Sequence, residues 1–122
     1  MNKLHNSHAK HLFITFKVFN KIIMEPQTYT ASRLTEGNKL FPARIILEDN
    51  GVTFKVPSFF SGEETTIPYS RISSVNVNSP FVGYSDIIIE TTGEGKVQVH
   101  GFTATEVKEM KQVILEKINA LS

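Results

Sequence analysis

Residues 83–121 read GYSDIIIETTGEGKVQVHGFTATEVKEMKQVILEKINAL, and within this stretch the hydrophobic period changes from two residues to nearly four. Residues 86–91 are almost continuous in isoleucine, residues 93–95 supply a turn, and residues 96–100 place Val97 and Val99 on one face, which predicts a hairpin. Three successive isoleucines, Ile87 to Ile89, predict a strand buried on both faces or one near a barrel closure. Thr103, Ala104, Thr105 and Glu106 then form a capping box, in which the threonine hydroxyl accepts from an amide three residues on and the glutamate reaches back. A helix starts there. Val107, Met110, Ile114, Ile118 and Leu121, helped by Val113, predict one apolar stripe, with Lys108, Glu109, Lys111 and Glu116 turned to water.

Upstream of this stretch the period is that of strands. Ile45, Ile46 and Leu47 lie in a run over residues 43–48, and the chain returns over residues 52–56. Between the two runs Asp49, Asn50 and Gly51 tolerate left-handed backbone, so a hairpin is expected. Pro57, Ser58, Ser61 and Gly62 break the chain. Residues 64–67 and 72–78 then read as two strands hinged near Pro68 and Tyr69, and residues 28–34 as a weak first strand. The order is seven short strands and one helix.

With 122 residues, 40% of them apolar, one domain with one core is expected, and no run reaches the roughly 18 apolar residues of a transmembrane helix. The absence of cysteine excludes disulfides, thiolate metal sites and a thiol nucleophile, and it fits a reducing, cytoplasmic setting. The net charge of +1 hides an asymmetry. Residues 1–24 hold Lys3, Lys10, Lys17 and Lys21 and no acid, while the rest carries nine basic and twelve acidic residues without the basic stripe that a nucleic acid requires.

Residues 1–26 read as an N-terminal arm ahead of a domain spanning 27–122. On a helix, Lys10, Lys17 and Lys21 cluster opposite Leu12, Phe16, Val18, Phe19, Ile22 and Ile23, a basic amphipathic pattern suited to an anionic membrane surface at its inner face or to a partner's groove. Two other readings stay open: the arm docks on its own domain, or the functional chain starts at Met24. His5, His8 and His11 share one broad helical face, but nothing nearby would fix them as metal ligands, so an exposed polar tail is expected.

Three segments carry a resemblance: residues 41–57, 67–77 and 83–118. The run Ile67-Pro68-Tyr69-Ser70-Arg71-Ile72-Ser73-Ser74-Val75, Gly83 before the isoleucine-rich strand, and Gly101-Phe102 leading into the capped helix resemble the bacterial pleckstrin-homology-like domains. The resemblance implies a mainly β fold: a barrel of about seven antiparallel strands in two near-orthogonal sheets, capped by one C-terminal α-helix. It also implies a binding or self-assembly module rather than an enzyme, with no cofactor. Related eukaryotic domains hold inositol phosphates with a lysine followed by two alternating basic residues. Lys39 and Arg44 begin that pattern, Ile46 stands where its last basic residue belongs, and Lys55 and Arg71 are further candidates for an anion.

Function reads less clearly than fold. His100 is the single histidine of the body, and no local arrangement supplies it with an orienting carboxylate and a nucleophile, so no enzyme and no small-molecule substrate are expected. Phe59, Phe60, Phe81 and Tyr84 lie in or beside loops rich in Ser, Pro and Gly, where exposed aromatics would mark a protein contact and inward-folded ones would cap the core. The expectation is a non-catalytic interaction module, drawn to anionic membranes by its arm; the rival is association with a protein or with itself.

Overall fold

The computed structural model describes residues 25–35, 37–56, 64–93 and 95–121. The basic arm, with Lys10, Lys17 and Lys21, and the loop holding Phe59 and Phe60 lie outside the described residues.

Alternation decides which face each strand buries. Strand β2 (Arg44–Leu47) and strand β3 (Gly51–Lys55) form the expected hairpin, with Ile45 opposite Phe54 and Leu47 opposite Val52, all four without solvent exposure. Strand β1 (Gln27–Thr30) joins the outer side of β2, and β4 (Glu64–Pro68) joins β3, giving a four-stranded antiparallel sheet in the order β1-β2-β3-β4. Gly51 is required at its turn for a reason other than left-handed backbone. A Cβ there would stand 2.7 Å from the Ile67 carbonyl oxygen, so the glycine lets β4 approach.

A single 3-10 turn, Tyr69–Arg71, redirects the chain into β5 (Ile72–Asn78), which pairs with β6 (Ser85–Thr91), itself paired with β7 (Lys96–Phe102). Ile87 and Ile89 point into the core, whereas Ile88 stands half-exposed on the outer face in a row with Asn76 and Gln98. The middle isoleucine is therefore neither doubly buried nor at a closure. Among the described residues the four-stranded and three-stranded sheets form separate ladders, so the expected barrel is not closed.

The helix α1 (Ala104–Asn119) begins at the expected box: the Glu106 amide donates to Thr103 Oγ1 at 3.1 Å and the Thr103 amide to Glu106 Oε1 at 2.9 Å. Val107, Met110 and Ile114 have no exposure, and they complete a core shared by both sheets and the helix. Leu121 departs from the expected stripe, lying past the last helical turn and 60% exposed. The helix is tied to the strands by Tyr29, which donates to Glu109 at 3.2 Å, and by a Lys117–Asp49 ion pair at 2.8 Å. Among the described residues no helix is long and apolar enough to cross a membrane.

Candidate functional site

The expected first strand stops at Thr30, and the chain continues as a structured loop over residues 31–43. Asn38, 5% exposed, organises it: its amide nitrogen donates to Thr35 Oγ1 at 2.8 Å and to the His100 carbonyl at 3.0 Å, and its oxygen accepts from the Ala43 amide at 2.8 Å. Thr35 Oγ1 in turn donates to the Ser32 carbonyl at 2.6 Å, and the Ser32 amide donates to the Gly101 carbonyl at 2.8 Å. Three atoms on opposite sides of the loop are thus fastened to one side chain and to β7.

This loop is polar inside and apolar outside. Thr35 and Asn38 are buried, whereas Leu34, Leu40 and Phe41 are 82%, 78% and 72% exposed. Apolar side chains held out in water by a buried polar knot invert the ordinary distribution.

Beside them three cations converge. Arg44 opens β2 and stands opposite Lys55 at the end of β3; both lie on the face away from Ile45 and Phe54. Arg33 reaches across the loop, donating from Nη1 to the Lys39 and Leu40 carbonyls at 3.1 Å each. Arg33, Arg44 and Lys55 line a groove of about 480 Å³ whose other walls include Leu40, Phe41 and Pro42. Among the described residues no acidic side chain lines it, although Glu64 stands directly opposite Lys55 in the pairing of β3 with β4. Among the described residues no ion pair ties Arg44 or Lys55.

The sequence-based candidates separate accordingly. Arg44 and Lys55 come together; Lys39 contributes a carbonyl to the Arg33 clamp and its side chain is exposed nearby. Arg71 stands at the other end of the molecule, its guanidinium against Gly93. Phe81 is fully exposed at the tip of the β5–β6 loop, with Val82 80% exposed beside it. Tyr84 is half-buried and accepts a hydrogen bond from Ser32 Oγ at 3.3 Å, joining this loop to the first. Arg33, Leu34, Leu40, Phe41 and Val82 were missed from sequence. The pair Leu40-Phe41 directly before Pro42, in a segment without strand or helix period, was the available signal.

On the outer face of the second sheet His100 Nδ1 is hydrogen-bonded to Asp86 Oδ1, and Gln98 donates to Asp86 Oδ2 at 2.7 Å. The structure therefore does supply the carboxylate that sequence spacing did not. Among the described residues no hydroxyl is hydrogen-bonded to the imidazole. Nor do the described residues hold a cluster of three or more His, Cys, Asp or Glu placed to take a metal ion.

The arrangement of strands, loops and helix has a counterpart. The chain is similar to one in the solved Spt16D Pob3N heterodimer, with a TM-score of 0.57 and 15% identity, covering 80% of this chain and 52% of that one. It thus spans about half the length of the solved chain. The fold is pleckstrin-homology-like. No protein-family model matches the chain, and no curated protein matches it.

Proposed function

We propose that this chain is a non-catalytic interaction module of the bacterial pleckstrin-homology-like kind, which acts at the inner face of a membrane by engaging its anionic surface. The observation that carries the reading is the convergence of Arg33, Arg44 and Lys55 on one groove that no acidic side chain lines among the described residues. Lys39 and the arm lysines Lys10, Lys17 and Lys21 add positive charge to the same chain. A cationic groove of this kind attracts lipid headgroups within a Debye length, about 10 Å at 0.1 M salt.

Co-sedimentation of the full chain with phosphatidylcholine vesicles, with and without phosphatidylserine, tests the reading. Binding is expected only with phosphatidylserine and is expected to weaken as salt rises. Arg44→Glu with Lys55→Glu should reduce it at least tenfold, and Lys10→Glu, Lys17→Glu and Lys21→Glu together report the arm's share. Absence of binding by the unaltered chain at low salt rejects the reading.

A second reading is protein association through Phe81 and its loop, favoured by the full exposure of that side chain. The solved neighbour is itself part of a heterodimer. Association of this kind is insensitive to lipid charge, and its form between copies of this chain is detectable by sedimentation velocity of the full chain alone.

A further inference from the structure

Five of the exposed large apolar side chains, Leu34, Leu40, Phe41, Phe81 and Val82, belong to two loops at one end of the molecule. The β1–β2 and β5–β6 loops are joined there by the Ser32–Tyr84 hydrogen bond, and the first is pinned to β7 by the Ser32 amide and by Asn38. The cationic groove opens between Leu40 and Phe41 on one side and the ends of β2 and β3 on the other. Apolar tips and cations therefore gather at one end of the molecule.

The shape of the tips distinguishes among occupants. Phe81 is fully exposed and Val82 nearly so, which places them on a convex point rather than in a groove. A protein partner must offer a matching pocket to bury such a point, whereas the headgroup and acyl boundary of a bilayer accepts it without one. Charge complementarity selects the same occupant, since an anionic bilayer presents negative headgroups directly above an apolar layer. The polar knot around Asn38 holds the first tip in place, so ordering that loop costs little on contact.

We propose that this end of the molecule enters an anionic bilayer as two wedges, Leu40 with Phe41 and Phe81 with Val82, while Arg33, Arg44 and Lys55 hold headgroups beside the first wedge. The proposal rests on the anionic-surface reading above and adds the depth and the residues of contact.

The sequence contains no tryptophan, so Phe41→Trp and Phe81→Trp are single fluorescent reporters in the full chain, and Leu121→Trp at the far end is the control. Each is mixed with vesicles of phosphatidylcholine and phosphatidylserine carrying bromine on the acyl chains. The emission of Phe41→Trp and Phe81→Trp should shift to the blue and be quenched, and that of Leu121→Trp should do neither. Phe81→Asp with Val82→Asp, both at exposed positions, should weaken co-sedimentation at least tenfold with an unchanged circular dichroism spectrum. Vesicle binding with the Phe81→Trp emission of free solution, or a shift at Phe41→Trp alone, overturns the two-wedge contact and leaves the anionic-surface reading standing. A blue shift of Phe81→Trp that grows with protein concentration without lipid makes the face an interface between copies and also overturns it. If the unaltered chain does not sediment, the underlying reading fails as well.

Discussion

Asn38 spends three hydrogen bonds on a loop that has no strand or helix of its own, and Gly101 makes room for it. Gly101 has φ +121°, and a Cβ there would meet Thr35 Oγ1 at 2.7 Å, Ala31 Cβ at 2.9 Å and Asn38 Nδ2 at 3.0 Å. Gly101→Ala therefore combines a disfavoured backbone with a collision against the knot, and a loss of about 2 kcal/mol or more is expected in urea denaturation. Tyr69 makes a second residue-scale case. Its hydroxyl donates to the Glu48 carbonyl at 2.6 Å, and burial first, then the charges of Asp49 and Glu48, push its pKa up to about 12. The unfolded phenol ionises near pH 10, so between about pH 10 and about 12 the unfolded chain loses a proton that the folded one keeps, and stability falls as pH rises. The fall is about 2 kcal/mol, fully absent below pH ~10. Tyr69→Phe should flatten that part of the profile while costing about 1 kcal/mol at neutral pH for the orphaned carbonyl. Urea curves at about pH 8 and about pH 11 distinguish the two effects.

At the scale of elements, local rules suffice for the helix and most strands. The capping box of α1 depends on residues three apart, and Thr103→Ala should cost about 1 kcal/mol, read from the urea midpoint at unchanged slope. Residues 72–78 are a strand with the bounds expected from sequence, although a register shift between Ile72 and Ser74 breaks its alternation. The β1–β2 loop was illegible for a converse reason. Asn38 is polar and sits among turn residues, and its partner in β7 is 62 residues away, beyond any local window. Ile88 was misjudged because three isoleucines in a row look alike until pairing with Asn76 and Gln98 assigns the middle one to the outer face. Arg44 and Lys55 were legible as cations, but their meeting was set by a hairpin register, and that of Arg33 by two backbone carbonyls in its own loop.

The whole molecule folds around one core, because Val107, Met110 and Ile114 of α1 pack with the inner faces of both sheets. Two sheets without a common ladder depend on that shared apolar layer for their relation to each other. Met110→Ala removes a fully buried side chain at the junction and should cost about 2 to 5 kcal/mol. Loss of both sheets should remain a single transition, with circular dichroism and tyrosine fluorescence tracing one curve; separate midpoints would show that each sheet stands alone.

The two ends of the molecule are chemically unlike, and both ends of the described chain lie at the same one. Gln27 pairs with Leu47, just before the β2–β3 turn, and Lys117 pairs with Asp49 in that turn, so residues 25 and 121 leave from the side opposite the apolar tips. Any fusion partner, surface tether or host protein attached at either point presents the tips outward, like a stopper held by its cord. Insertion of residues 25–121 into an exposed loop of another protein should therefore leave the tips turned away from that host.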